Sequence, residues 1–215
     1  MTFLITTGPT REPIDPVRFL SIRSSGRMGF ALAEQAQQRG HQVTLISGPV
    51  SLATPKNVTR IDIVTAADMH QAVTEHIGQA DVAIFSAAVA DYTPVDVLSQ
   101  KLKKSEDILT LKLKSTQDIL GSVRTEMGFK GYLVGFAAET ENVLANALQK
   151  YQRKGCDLLV ANDVSRPDIG FDQRHNEVTL LFRDGQQRPI AKATKDSIAA
   201  SILDHIANDL SQTHP

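Results

Sequence analysis

Three short segments of the chain combine small residues with hydroxyl, acidic or basic side chains in the manner that phosphate handling requires. Ser24-Ser25-Gly26 sets two hydroxyls and a glycine just before a helix-patterned run, where backbone and side-chain donors can hold phosphate oxygens. An ordinary helix N-cap would need only one of those serines. Ala87-Ala88-Val89-Ala90-Asp91-Tyr92 follows an apolar run. Its alanines let a flat ligand approach the backbone, and Asp91 suits a ribose hydroxyl or a metal-bound phosphate, with a turn or cap aspartate as the even alternative. Gly135-Phe136-Ala137-Ala138-Glu139-Thr140 ends another apolar run, with Lys150 and Lys154 on the next helix pattern. Phe136 offers a stacking face, and lysines at i and i+4 share one helix side. Lys101 heads the basic cluster Lys101-Leu102-Lys103-Lys104. A lysine beside a phosphate site neutralises charge that develops as pyrophosphate leaves, although at least two of these three lysines are expected to be merely solvated. Together the segments point to a triphosphate or dinucleotide pocket.

Such segments need strands and helices to bring them together. In open α/β sheets the ligand sits beyond the carboxyl ends of the strands, where connections diverge. Thr2 to Thr7 reads as a first strand and Arg27 to Arg39 as a first helix, with Ser25 as candidate N-cap and Gly40 at the stop. The connection from Gly8 to Ser25 carries three prolines, four hydroxyl residues and three arginines. A loop of that length is costly to order unless it binds something. Strands follow at Gln42 to Ser47 and Val58 to Val64, then a helix on whose one face Ala66, Met69, Val73 and Ile77 fall, preceded by a capping-box-like Thr65-Ala66-Ala67-Asp68. Asp81 to Ala87 reads as a strand covered on both sides. Beyond it, Tyr92 to Glu106 reads as a loop and Ile108 to Leu113 as a strand. A helix over about Gln117 to Arg124, a strand at Tyr132 to Phe136, a helix at Glu141 to Lys154 and a strand at Leu158 to Ala161 continue the rhythm. Val178 to Arg183 and Arg188 to Ala191 flank Asp184-Gly185 as a hairpin, and Ile198, Ile202 and Ile206 mark a last amphipathic helix. This order predicts an α/β protein with a mostly parallel sheet flanked by helices.

Composition narrows the function classes. A chain of 215 residues holds one sizeable α/β core with a small appendage. A net charge of -1 argues against a general nucleic-acid binder. The single Cys156 excludes a disulfide within the chain and reads as a small packing residue. No stretch reaches the ~18 apolar residues of a membrane helix, and no signal-type segment opens the chain, so a cytoplasmic protein with no membrane or nucleic-acid partner is expected. Neither Gly-x-Gly-x-x-Gly nor the P-loop pattern is present, the six histidines are scattered, and the serines sit in no Gly-x-Ser-x-Gly elbow.

In order and spacing, six segments resemble phosphopantothenoylcysteine synthetase, the ligase of coenzyme A biosynthesis. They are Thr7 to Arg18 (TGPTREPIDPVR), Ser24 to Gly29 (SSGRMG), Ala87 to Tyr92 (AAVADY), Lys101 to Lys104 (KLKK), Gly135 to Thr140 (GFAAET) and Ala161 to Asp163 (AND). The resemblance spans essentially all of residues 1–215 and implies a single ligase domain. Its fold would be Rossmann-like, with a small β-rich dimerisation and substrate segment at about 92–115 and 176–192. It implies that CTP activates the carboxylate of 4'-phosphopantothenate as an acyl-cytidylate with loss of pyrophosphate, after which the amine of L-cysteine displaces CMP. Mg2+ would assist by neutralising the triphosphate; its ligands are left open. Carried over by position, Ala87, Asp91, Lys101, Gln117, Asp118, Ile119, Leu120, Phe136, Lys150 and Lys154 would hold the nucleotide. Gly8, Ser24, Ser25 and Gly26 would line the phosphate region. Arg18 matches an arginine near phosphopantothenate, and Lys101 a lysine that helps form the cytidylate. The family is typically a homodimer, and in many bacteria this ligase is fused to a flavin-dependent decarboxylase, here expected as a separate partner.

One position departs from the family pattern. Where the family reads Ser-Asn, this chain has Ser21-Ile22, and isoleucine neither donates nor accepts a side-chain hydrogen bond. Losing one transition-state donor costs ~10²- to 10³-fold in rate. The leading expectation is the CTP-dependent ligase. The alternatives are a catalytically impaired homologue that binds nucleotide or acyl-cytidylate and, weakened by the missing glycine fingerprint, an NAD(P)-dependent reductase.

Overall fold

The computed structural model describes residues 1–104, 108–139, 143–163, 165, 173 and 175–213. Among the described residues, twelve strands and five α-helices follow one another along the chain. The first part comprises β1 (Thr2–Thr7), β2 (Arg11–Pro13), β3 (Phe19–Ser21), α1 (Arg27–Gln38), β4 (Gln42–Ser47), β5 (Thr59–Asp62), α2 (Ala66–His76) and β6 (Val82–Phe85). The second part comprises β7 (Tyr92–Pro94), β8 (Leu113–Ser115), α3 (Ile119–Thr125), β9 (Tyr132–Glu139), α4 (Val143–Lys154), β10 (Leu158–Asp163), β11 (His175–Phe182), β12 (Gln187–Thr194) and α5 (Lys195–Thr213). The expected α/β fold with a mostly parallel sheet flanked by helices is borne out, with β2, β3 and β7 as additional strands.

Eight strands form one sheet in the order β12-β11-β10-β9-β6-β1-β4-β5. From β5 through β10 every pairing is parallel, and β10-β11 and β11-β12 are antiparallel. The chain runs outward from β1 through β4 to β5, then returns to place β6 on the other side of β1. Connections leaving β1 and β6 therefore diverge at a topological switch point, where such sheets bind ligands.

Each face of the sheet has its own apolar core. On one, Phe30 and Leu32 of α1 meet Ile198, Ile202 and Ile206 of α5 over Phe3, Ile5 and Val134; on the other, Met69, Val73, Ile119 and Val123 cover Leu4, Ala83 and Leu133. Burying a side chain of this size stabilises by ~1.5–3 kcal/mol, so the four-residue spacing of the isoleucines suffices to dock α5. The predicted capping box opens α2: Asp68 N–H donates to Thr65 Oγ1 at 3.1 Å, and Thr65 N–H to Asp68 Oδ2 at 2.8 Å.

Several expectations change in detail. Ser25 does not cap α1; the cap is Gly26, with φ 73° and no side-chain cap bond, because a left-handed residue there lets the chain turn sharply into the helix. The long loop after β1 contains its own ribbon, β2 paired with β3. The strand expected at Ile108 to Leu113 starts only at Leu113, and its partner is Tyr92–Pro94 within the expected loop. Ile108 and Leu109 are exposed, so their alternation has no core face to bury. The 176–192 hairpin forms and is paired into the central sheet through β10. This makes β12 the sheet's outer strand, with Arg188, Pro189 and Lys192 along it. Thr140, the last residue of the 135–140 segment, and Glu141, the expected start of a helix, lie outside the described residues. Among the described residues no helix is long and apolar enough to cross a membrane.

Candidate functional site

The loops after β1 and β6 are stitched together above the sheet. Ala88 N–H donates to Gly8 O at 2.9 Å, Thr10 N–H to Ala88 O at 3.1 Å, and Ala90 N–H to Thr10 Oγ1 at 3.0 Å. Thr7 Oγ1 donates to Gly26 O at 2.8 Å, which fixes the start of α1 over the same strand tips. A Cβ on Gly29 would run into the Thr7 side chain and stand 2.7 Å from Ser86 Oγ. Only glycine lets the first turn of α1 approach so closely. Because no side chain caps α1, its free N–H groups and positive dipole end face the cleft.

Farther out, Glu12 of β2 is 3 % exposed, and its Oε1 accepts from Ala66 N–H at the start of α2 at 2.8 Å. Arg11 N–H donates to Val64 O at 2.8 Å. The proline-rich loop is thus ordered by the fold itself, through a carboxylate on a helix N-terminus.

Two cavities meet at these strand tips and share Ala87, Val89 and Phe136 as walls. The larger, about 760 Å³, brings together Ala87, Asp91, Gln117, Asp118, Ile119, Leu120, Phe136 and Lys154. Asp118 caps α3 by accepting from Gly121 N–H at 3.0 Å and is ion-paired with Lys154, itself 7 % exposed at the end of α4. Partial burial pushes the Asp118 carboxyl up, but the Lys154 ammonium and the Gly121 N–H outweigh it and hold the acid below its usual range. Arg153 adds a second cation to the wall. Buried Thr6 also lines this cavity, and its hydroxyl has no partner among the described residues. The smaller cavity, about 260 Å³, gathers Ser24, Ser25 and Gly26 with Ile22, Asn162, Asn176 and Lys195.

Of the residues expected from sequence, the two cavities therefore unite Ser24, Ser25, Gly26, Ala87, Asp91, Gln117 to Leu120, Phe136 and Lys154. Gly8 sits behind the cleft and lines neither. The Lys150 side chain lies outside the described ones. Arg18 and Lys101 belong to a separate cluster around Asp15. Arg18 Nη1 donates to Asp15 Oδ2 at 2.5 Å and to Leu102 O at 3.1 Å, while Leu102 N–H donates to Asp15 Oδ2 at 3.0 Å. The Leu102, Val17 and Arg18 N–H groups together overcome the cost of burial and hold the Asp15 carboxyl far below its usual range. This cluster ties the 101–104 segment to the turn between β2 and β3, with Lys101 exposed beside it. Asn176, Lys195 and Arg153 line the two cavities but carry no motif of their own that marks them in the sequence. Asn162 stood inside a quoted motif without a role. Among the described residues no three His, Cys, Asp or Glu side chains converge in a metal-binding group.

The family described as DNA/pantothenate metabolism flavoprotein C-terminal domain matches residues 1–210. The coenzyme A biosynthesis bifunctional protein CoaBC of Escherichia coli K12 is 46% identical over 209 residues, covering 96% of this chain and 51% of that protein. The CoaBC of Bacillus subtilis 168 is 47% identical over 214 residues, covering 98% and 52%. The chain thus spans about half the length of the curated relatives it matches. The crystal structure of a CoaBC C-terminal domain superposes with TM-score 0.83 at 41% identity, over 98% of this chain and 96% of that one. The resemblance read from six ordered motifs is borne out: the chain belongs to the DNA/pantothenate metabolism flavoprotein C-terminal domain family, the phosphopantothenoylcysteine synthetase domain.

Proposed function

We propose that this chain is the ligase that joins 4'-phosphopantothenate to L-cysteine, using CTP, in coenzyme A biosynthesis. The observation that carries this is the two-part trough at the switch point between β1 and β6, with Phe136 as the wall common to both parts. In this reading the cytosine and ribose lie against Phe136, Asp91 and the Gln117 to Leu120 turn. Lys154 and Arg153 supply positive charge beside them. The phosphates run to Ser24, Ser25 and Gly26 at the uncapped end of α1, whose N–H groups suit an anion. The α-phosphorus is then presented to the substrate carboxylate near Ala87, pyrophosphate leaves, and the cysteine amine attacks the acyl-cytidylate to release CMP.

Magnesium fits as an ion carried on the nucleotide, since it keeps several waters and needs only one or two protein carboxylates. Asp91, which lines the larger cavity with Asp118 and Glu139, would be the carboxylate that holds the ion, and the magnesium charge would offset that of the triphosphate. The exposed apolar side chains Val95, Val97, Leu98, Ile108 and Leu109 support a homodimer formed through the 92–113 segment. Such a dimer would let Lys101 and Arg18 reach a trough from outside it. A separate phosphopantothenoylcysteine decarboxylase is the corresponding enzyme partner, and the cytoplasm the corresponding compartment.

Ile22 favours a second reading. Its apolar side chain lines the smaller cavity, where the family pattern places an amide, and a homologue that forms or binds the acyl-cytidylate but turns it over poorly follows. Incubation with CTP, magnesium and 4'-phosphopantothenate, with and without cysteine, separates the two. Pyrophosphate and cysteine-dependent CMP together support the ligase; pyrophosphate with a trapped cytidylate supports the impaired form. No pyrophosphate under either condition overturns both.

A further inference from the structure

We propose that Asp15 is a positioning residue for Lys101: with Arg18 it clamps the peptide groups of Leu102 and so sets where the neighbouring lysine stands. The two carboxylate oxygens of Asp15 have separate partners. Oδ1 accepts from Val17 N–H at 2.7 Å and from Arg18 N–H at 2.8 Å, an aspartate turn within its own loop. With Ile14 N–H donating to Arg18 O at 2.9 Å, these bonds suffice to close the turn between β2 and β3. Oδ2 instead serves a partner 87 residues along the chain, accepting from Leu102 N–H at 3.0 Å as well as from Arg18 Nη1 at 2.5 Å. Arg18 Nη1 completes the ring by donating to Leu102 O at 3.1 Å. Both backbone polar groups of one residue are thus held by one ion pair, whose carboxylate side chain is fully buried.

The arm held in this way lies in no helix or strand over residues 97–104, so bonds from outside it decide its path. Leu98 N–H donates to Ile14 O at 3.0 Å, and with the Leu102 clamp the arm is tied twice to the same turn. That turn is in register with the trough. Glu12 and Arg11 anchor β2 beside the start of α2, and Thr10 bonds to the loop after β6. A line of contacts therefore runs from the strand tips through β2 to Leu102, one residue from Lys101. Lys101 and Lys103, on either side of the clamped residue, are exposed. The clamp fixes the backbone from which Lys101 reaches out and leaves its ammonium group in solvent, where it can meet developing charge in a set orientation. The inference rests on the ligase reading for the task of Lys101, but the clamp itself is measurable without turnover.

The test is Asp15→Asn in the full chain. The amide keeps an oxygen for the Val17 and Arg18 N–H groups and turns its NH2 toward Leu102 N–H and Arg18, donor against donor, so the turn survives and the clamp opens. Trypsin cuts after lysine, and cleavage after Lys101, Lys103 and Lys104 should speed up about tenfold, the loss of one charge-assisted bond. Pyrophosphate release from CTP and 4'-phosphopantothenate should fall about tenfold in kcat, with CTP affinity unchanged by calorimetry. Combined with Lys101→Gln, the substitution should lower release no further, because a residue that acts through Lys101 then has nothing to position. A merely structural Asp15 would lower release in both backgrounds alike. Wild-type cleavage or wild-type release in folded Asp15→Asn overturns the proposal, as do additive losses or a parallel loss of CTP affinity. Thermal melts identify folded variants. If Asp15→Asn unfolds the chain, tryptic cleavage of Arg18→Met decides, since that side chain is 43% exposed: faster cutting upholds the clamp and an unchanged rate overturns it. A wild type that releases no pyrophosphate removes the ligase reading, and the cleavage rates still decide the clamp.

Discussion

Truncating Glu12 to alanine isolates the bond that orders the loop after β1. In the wild type the Glu12 carboxylate, buried at 3 % exposure, accepts from the buried Ala66 N–H at 2.8 Å. Removing the acceptor leaves that N–H without protein or water to bond, at ~1–3 kcal/mol. Loss of the carboxylate from the end of α2 adds ~0.3–1 kcal/mol, and relief from keeping a charge buried works the other way. A net cost of about 2 kcal/mol corresponds to a melting temperature roughly 4–8 °C lower for a domain of this size. Glu12→Gln keeps an acceptor oxygen and gives up only the charge, so it should recover more than half of the loss. Differential scanning calorimetry of the three proteins reads the stabilities, and limited proteolysis across residues 14–24 reads the order of the loop. Equal destabilisation by Ala and Gln would refute the reasoning, since charge rather than the hydrogen bond would then dominate. Unchanged melting in both would show that the loop is held elsewhere.

Lys101→Gln alters an exposed side chain, which should leave stability within ~0.5 kcal/mol, yet it should cut pyrophosphate release from CTP and 4'-phosphopantothenate by about 10²-fold. Unchanged release removes Lys101 from the reaction. Ile22→Asn restores the family amide and should raise cysteine-dependent CMP formation by about 10²-fold; a flat response in steady-state kinetics means that another donor already fills the role. Gly29→Ala drives a methyl group into Thr7 and Ser86 and should cost ~1–3 kcal/mol in thermal melts while weakening nucleotide binding. Asp15→Asn tests the sign of a titration. The folded carboxyl is held below its usual value, so its contribution is present above the unfolded pKa of about 3.9 and fades as pH falls through the folded one. The stability gap between wild type and Asp15→Asn should therefore be open at neutral pH and close on acidification, as followed by urea unfolding; a gap independent of pH contradicts the assignment.

Periodicity carried most of the fold. The faces of α2 and α5 and the doubly covered β6 were legible because burial against a sheet imposes spacings of four and of one on the apolar residues. The β7–β8 ribbon is not legible in the sequence, because the alternation around Ile108 and Leu109 falls on exposed residues before β8 and has no core to report. The site was legible where it lies in short runs next to strand ends: Ser24 to Gly26, Ala87 to Asp91, and Phe136. Asn176 and Lys195 were not, since they come from a hairpin and a helix start that meet the trough only through the β10–β11–β12 pairing. Nor does spacing reveal that Arg18 and Lys101 gather around Asp15, because 84 residues separate Arg18 from Leu102.

The outer strand β12 bears on how copies of this protein can assemble. Pro189 offers no amide hydrogen, and Arg188 and Lys192 keep positive charge along the same border. A neighbour trying to lengthen the sheet there would meet like charge and a missing donor. Extension of the central sheet past β12 is thereby disfavoured, which leaves each trough with its own set of strand tips.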